Sequence, residues 1–382
     1  MQFKDIPGTS TVASSLRGLV TSDRLPGALL LQGQPGGNQL ALALAMAQLA
    51  LCQEPTTDDA CGVCPSCHRT QKLIHPDLLF SFPYVNPKGV CDDHLVAWRD
   101  HVLANPFLEI TDWLEALGAE NKEGKIYASE CSTLLRKLSL KTFEANRRMY
   151  IIWRPEYLGP GEGNRLLKLI EEPPAGTTFI LVAENTELIL PTILSRCQIV
   201  KIPLLADEEI AGYLHEKKGM APKTALSHAR LAEGNLNAAL QLAEESREDL
   251  GTFFLNWFRK TWEGKSPALV EITEQIASWS RNRQKGLLQY GLFFLREVLS
   301  LKYQTIHPEN VRLNPSDQVA AEKLGRLLTL AQMELLNELF SQSIGYLERN
   351  AHPKILFLSV GLRMHRIQRG KSLPMEAENI SI

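Results

Sequence analysis

Neither sign of charge prevails in this chain: 41 Lys and Arg stand against 43 Asp and Glu, for a net charge of -2. A global basic field is thereby excluded, so any contact with nucleic acid has to be local or made through partners. Long apolar runs are missing as well. The most apolar stretch, residues 40–52, is interrupted by Gln48 and is too short to span a bilayer. The opening residues, "MQFKDIPGTST", lack the basic-then-apolar layout of a secretory leader. Together these absences predict a cytoplasmic protein with no membrane contact. Internal repeats and low-complexity tracts are also absent. Cysteine is scarce, with seven in 382 residues, yet four crowd between Cys52 and Cys67. That crowding points to metal rather than disulfides in a reducing compartment.

A chain of this length is long enough for two or three domains, each with its own core. Over the first two hundred residues, short apolar runs alternate with helical patterns. The runs are "GALLLQG", "DLLFSFP", "RMYIIW", "TTFILVAE" and "QIVKIP". Strands alternating with helices predict an α/β fold with a parallel sheet covered on both faces. Residues from about 83 to 125 interrupt the alternation with two helical stretches, "HLVAWRDHVLAN" and "ITDWLEALG". They read as a surface insertion without assigned chemistry. After Pro203 the strand signals stop. Residues 203–245 read as a small helical unit, and 246–370 as an all-helical bundle with apolar residues at three- and four-residue spacing. The tail, 371–382, is expected to be disordered.

The four clustered cysteines, Cys52, Cys61, Cys64 and Cys67, form a C-x8-C-x2-C-x2-C array. Two-residue gaps let successive thiolates turn back on one ion, and the longer arm supplies the fourth corner of a tetrahedron. Four thiolates with no open position predict a structural Zn2+ site rather than a catalytic one. A redox pair is the competing reading, but it needs only two cysteines. His68 is adjacent and surplus, a surface residue by expectation. Cys91 and Cys131 stand alone and read as ordinary thiols.

Ahead of this array, "LLLQGQPGGNQL" has the strand–loop–helix context of a phosphate-binding loop but not its chemistry. Counted from Gly33 on G-x-x-x-x-G-K-[ST], the second glycine is Asn38, the lysine is Gln39 and the hydroxyl residue is Leu40. A neutral amide replaces the cation for the β/γ-phosphates, and an apolar side chain replaces the magnesium ligand. A later strand should end in carboxylates that hold magnesium. "RMYIIW" instead ends in Trp153, followed by Arg154. Two independent losses in one site predict no functional ATP site and no hydrolysis by this chain. Gly33, Gly36 and Gly37 keep the structural task of a tight turn.

The order of motifs carries a resemblance. "IHPDL" (74–78) follows the cysteine array, and "NRLLKLIEEPP" (164–174), "TILSRCQIV" (192–200) and "RNAHPKILF" (349–357) come after it. This order resembles the subunits of the bacterial DNA polymerase III clamp loader, a pentamer of AAA+ subunits, over nearly the whole chain. His352 departs from the family's usual asparagine. With a degenerate loop and an intact zinc array, the chain resembles the delta-prime branch rather than the motor subunits. The resemblance implies an AAA+ core over 1–202 with a zinc module at 52–67, a helical lid over 203–245 and a helical collar for oligomerisation over 246–370. It implies motor subunits and the delta subunit as partners in a hetero-pentamer, with the sliding clamp and primer–template DNA reached through the complex. It also implies that Arg196, in Ser195-Arg196-Cys197, is a catalytic finger acting on a neighbour's ATP. The lid arginine of motor subunits is replaced by Asn237 in "GNLNAAL".

Plainer readings stand beside these. An arginine at a helix end is by itself a surface or capping residue. Ser195 and Cys197 fix a turn, since no histidine–carboxylate pattern supports a nucleophile. Glu171 and Glu172 end a helix before Pro173 and Pro174. Arg147 and Arg148 are weak candidates for nucleic-acid phosphates. An active AAA+ motor or helicase and a zinc-dependent DNA-binding adaptor are the rival functions. The first is opposed by the missing lysine and carboxylates, and the second is separable by co-purification with motor subunits.

Overall fold

The computed structural model describes residues 1–8, 10–119, 122–139, 142–245, 250–303, 311–313, 315–349 and 351–370. The expected disordered tail lies outside the described residues. The chain divides into two compact units. One comprises Met1–Tyr213 with Gly234–Ala238, and the other comprises Leu214–Glu233 with the chain from Ala239 on. The segment 203–245 therefore contributes to both units.

Each apolar run of the first unit forms a strand: β1 (Ala28–Gln32), β2 (Leu78–Ser81), β3 (Arg148–Trp153), β4 (Thr177–Ala183) and β5 (Gln198–Lys201). They make one sheet in the order β2-β3-β4-β1-β5, with every pairing parallel. Side chains alternate across a strand, so a central strand needs apolar residues at both parities. Ala28 and Leu30, Tyr150 and Ile152, and Phe179 and Leu181 join one buried cluster. Leu29, Leu31, Met149, Ile151, Ile180 and Val182 take the other parity and are as deeply buried.

The helices of this unit follow in chain order: α1 (Ser10–Thr21), α2 (Gln39–Leu51), α3 (Pro65–Gln71), α4 (Leu95–Ala104), α5 (Ile110–Ala116), α6 (Ala128–Ser139), α7 (Pro160–Glu171) and α8 (Pro191–Leu194). α2 packs on β1, β3 and β4, and every residue of it except Ala50 is buried. A helix apolar all round is one covered on all sides. α6 and α7 insert Leu134, Leu138, Leu166 and Ile170 into the cluster on the sheet's other face.

The insertion is more than a surface feature. Tyr84 and Lys125 exchange two backbone hydrogen bonds of 3.0 Å, closing its stem at the two ends expected for it. Both expected helices are present as α4 and α5. Trp98 and Trp113 are fully buried. Trp98 stacks on Phe82 at 4.3 Å between centroids, meets Trp113 edge-on at 5.2 Å, and lies 4.9 Å from Trp153 at the end of β3. The Trp113 indole donates to the Pro83 carbonyl at 2.7 Å, satisfying the polar atom that its burial takes from water.

In the second unit, α9 (Asp207–Lys218) and α11 (Leu236–Glu245) begin in the first unit's residues, and α10 (Pro222–Ala232) lies between them. The bundle consists of α12 (Leu250–Glu263), α13 (Ser266–Ala277), α14 (Arg281–Lys302), α15 (Pro315–Leu327), α16 (Leu330–Glu348) and α17 (Pro353–Gln368). Along α16, Met333, Leu336, Phe340 and Leu347 repeat at helical spacing and enter a core with Phe254, Trp257, Phe294 and Phe357. Gly291 of α14 permits a close approach: a Cβ there would stand 2.8 Å from the Phe340 ring and 2.9 Å from that of Phe254. Among the described residues no helix is long and apolar enough to cross a membrane.

The motif "IHPDL" has a structural use. Buried Asp77, just ahead of β2, accepts backbone N–H groups from Phe143 (2.8 Å), Glu144 (2.9 Å) and Ala145 (3.0 Å) in the turn before β3. Its own amide donates to His75 Nδ1 at 3.1 Å. Burial favours the neutral acid, but the three amide donors override it and hold the carboxyl below its usual range. A depressed folded-state pKa stabilises the fold fully above the unfolded value, near pH 4, and that contribution fades as pH falls through the folded value. Asp77→Asn should therefore cost about 2–3 kcal/mol at pH 7, with the gap to wild type narrowing below about pH 4. Denaturant titrations across that range check it, and a gap independent of pH would remove the carboxylate from this role.

Candidate functional site

The four clustered cysteines are assembled by the end of α2 and the start of α3. Cys52 terminates α2. Cys64 is the N-cap of α3, where its sulfur accepts the Cys67 amide at 3.4 Å. The Cys61 amide reaches Cys52 Sγ at 3.3 Å, and the Cys64 amide reaches Cys61 Sγ at 3.3 Å. These donors orient the sulfurs toward a common centre, with all four ligand atoms within 4.8 Å of one another. Cys52 Sγ lies 3.6 Å from Cys61 Sγ, which lies 3.9 Å from Cys67 Sγ. Four sulfurs at about 2.3 Å from one tetrahedral ion would stand about 3.8 Å apart, so the spacing suits a metal of that size. Burial pushes the Cys52 and Cys67 thiols up. For Cys64 burial acts in the same sense, but the amides of Cys67 and Gln53 override it and bring the thiol down to about 6. His68 is exposed, as expected of a non-ligand. Cys91 and Cys131 are buried away from the cluster, where burial pushes both thiols up.

The glycine loop lies between β1 and α2. Gly36 adopts a left-handed φ of 64° that only glycine takes without strain. Its neighbours are not those of an open cradle. The Gln39 side chain folds back on the loop, donating to the Gln34 carbonyl at 2.8 Å and crowding Gly33 and Gly37. Asn38 is buried and donates to the Pro7 carbonyl at 2.6 Å. The Gly36 carbonyl accepts the amides of Leu236 (3.1 Å) and Asn237 (3.3 Å), and Asn235 covers its Cα.

Asn237 is buried with both ends of its amide in use. Asn105 donates to its oxygen at 2.6 Å, and its nitrogen donates to Asp112 at 2.8 Å. Asn235 donates to Glu109 at 2.8 Å. All three partners belong to the insertion, to which the sequence assigns no chemistry. Glu109 and Asp112 cap α5, and their partners Asn235 and Asn237 lie 126 and 125 residues away.

At the end of β3, Trp153 packs against the insertion and Arg154 turns inward with a left-handed φ of 61°. Arg154 is buried and pairs with Glu184, which follows β4, and with Glu156 at 3.5 Å. Burial pushes the Glu184 carboxyl up to about 7, against the opposing pull of the Arg154 guanidinium. Where magnesium carboxylates would follow the strand, an internal ion pair stands instead.

Arg196 lies outside this cleft, in the turn between α8 and β5. Its guanidinium donates to the Thr192 carbonyl at 3.0 Å and pairs with Glu171 at 3.2 Å; the side chain remains 34% exposed. Glu171 thus ends α7 as expected and has a second use that its sequence did not disclose. Ser195 caps the same turn, donating to the Thr192 carbonyl at 3.1 Å. Arg147 pairs with Asp23 at the surface, and Arg148 is buried with its side chain on the Lys137 carbonyl, so Arg148 is not presented to a phosphate backbone.

A family model described as DNA polymerase III, delta subunit, matches residues 8–206, more than half of the chain. The chain belongs to that family. It is of the delta-prime type: DNA polymerase III subunit delta' of Bacillus subtilis (strain 168) is 28% identical over 289 residues, which is 74% of each chain. The subunit delta' of Escherichia coli (strain K12) is 27% identical over 229 residues, 58% of this chain and 57% of the relative. A solved structure of a DNA polymerase III gamma subunit-related protein from Thermotoga maritima is 15% identical, covering 93% of this chain and 99% of that one. Its TM-score of 0.40 is too low to carry an argument. This delta-prime-type chain is thus a clamp-loader-related subunit of α/β architecture with a helical second part.

If the four thiolates hold one ion, removing one should release metal and destabilise the first unit without touching the helical bundle. Cys64→Ser should lower both bound metal, read by elemental analysis, and the melting temperature. Metal content unchanged at one ion per chain would show that these cysteines are not the ligands.

Proposed function

We propose that this delta-prime-type chain is a non-hydrolysing subunit of the DNA polymerase III clamp loader, which organises the ring and completes a neighbour's ATP site with Arg196. The observation that carries the reading is a contrast within one domain. The chain's own glycine loop is covered by Gln39 and Asn235, and its magnesium position is taken by the Arg154–Glu184 pair. Arg196, by comparison, is held at the surface by one carboxylate and one carbonyl. A guanidinium so placed can be offered to a phosphate brought by another subunit, and its planar fork of donors suits a transferring phosphoryl group.

Within this reading the cysteine cluster holds structural Zn2+, which supplies no catalytic step. Residues 1–202 are the AAA+ core, 203–245 the lid, and 246–370 the collar through which the subunit joins motor and delta subunits. The sliding clamp and primer–template DNA are met by the assembled complex in the cytoplasm. Support comes from the family membership and from the fit of the thiolate cluster.

The isolated chain should neither bind ATP measurably nor hydrolyse it; magnesium-dependent turnover with saturable micromolar binding would restore the motor reading. In a reconstituted complex, Arg196→Ala should leave folding, metal content and assembly intact while lowering clamp- and DNA-stimulated ATPase in part. Fingers are worth roughly 10³–10⁵ where they act alone, but this chain would complete only one of several sites. Arg196→Lys should not rescue the loss, because a point charge lacks the fork. Unchanged stimulated ATPase, or failure to assemble, would assign Arg196 to structure alone.

A further inference from the structure

The insertion and the glycine loop meet through residues 235–237, and that meeting has a consequence beyond the missing lysine. A glycine loop between a strand and a helix is a cradle of backbone N–H groups suited to phosphate. Here the space beside it is occupied by the chain itself. Two amides, Leu236 and Asn237, lie on the Gly36 carbonyl, and three side chains of the insertion hold the segment that carries them.

We propose that the insertion at 83–125 is an internal ligand of the degenerate nucleotide cleft: Asn105, Glu109 and Asp112 clamp residues 235–237 onto Gly36 and keep the cleft shut without nucleotide. Three independent observations support this latch. The first is polar. The Asn237 amide is buried and bonded at both ends, to Asn105 and to Asp112, so opening the cleft would strip partners from three polar side chains at once. The second is apolar. The insertion is seated on the end of β3 by the packing of Trp98 against Trp153, so its position relative to the loop is set by the sheet and not by a tether. The third is electrostatic. Burial, and after it the charges of Glu109 and Glu156, oppose ionisation of Glu184 against the pull of the Arg154 guanidinium paired with it. A triphosphate entering there would meet the Glu109 and Glu156 carboxylates and a guanidinium that is already paired.

The latch also explains why Trp153, Arg154 and Asn237 occupy the places they do. Each departs from what nucleotide chemistry needs, and each has a partner either in the insertion or in the ion pair beside it. The clamp does not depend on Arg196 or on the subunit's place in a ring.

Amide hydrogen exchange on the full chain tests it, read at Leu236 and Asn237, with β1 and β4 as internal references. Asn105→Ala removes one donor to Asn237 and should speed exchange at these two amides at least about tenfold while leaving β1 and β4 unchanged. Asn235→Ser provides a second variant should Asn105→Ala disturb the insertion. Serine keeps an oxygen for the Ala238 amide, which Asn235 now caps at 2.8 Å, and drops the donor to Glu109. The same local acceleration is expected from it. Exchange at Leu236 and Asn237 within about twofold of wild type in both variants would overturn the latch, and would leave the non-hydrolysing reading of the subunit standing. A loss of protection spread equally over β1 and β4 would also overturn it, by showing that the residues support the fold at large and not the cleft.

Discussion

A parallel sheet has to be covered on both faces, because each strand carries apolar residues at both parities and the crossovers place helices over them. In this chain that constraint determines the rest of the first unit. α2 lies over β1, β3 and β4, and α6 and α7 cover the other face. Loops that need special chemistry are left at the carboxyl ends of the strands, where open α/β sheets place their ligands. The glycine loop after β1, Arg154 after β3 and Glu184 after β4 all lie at that edge.

What fills the edge is the chain's own material. Gln39 lies on the loop, Arg154 is paired with Glu184 and Glu156, and Asn237 is bonded to Asn105 and Asp112. These interactions pair polar groups that would each cost about 1–3 kcal/mol if stranded, while Asn38 Oδ1, Gln39 Oε1, Arg154 Nε and Glu156 Oε2 are buried without a hydrogen-bond partner among the described residues. Beside the glycine loop, the Gln39, Asn235 and Asn237 amides all bond to partners from the chain itself.

The cysteine cluster and Arg196 belong to a different economy of the fold. The cysteines are gathered by the turn between α2 and α3, where three amides orient three sulfurs. The arginine sits on a short turn fixed by Thr192 and Ser195, with Glu171 beside it. Both are built mainly from residues close in sequence on rigid elements. Both therefore suit tasks in which position matters more than adaptability.

This difference in range separates what was legible from what was not. The five strands, the helical second part and the cysteine array could be read from the sequence, since short apolar runs, period three to four and C-x2-C spacing are local patterns. The absence of the loop lysine, and of carboxylates at Trp153 and Arg154, was equally plain. The two helices of the insertion were legible as helices, but their purpose was not. Nothing in "NPFLEITDW" says that Asn105 and Asp112 will meet Asn237, more than a hundred residues later. Nor does "IEEPP" say that Glu171 will meet Arg196. A hydrogen-bonding side chain carries no periodic signature of its partner, so such pairings exist only once the sheet has brought distant segments together. The sequence by itself determined the elements, the four-cysteine array and the residue types of the glycine loop; the tertiary structure alone decided what packs against that loop, because that choice rests on contacts between segments whose separation along the chain no local pattern records.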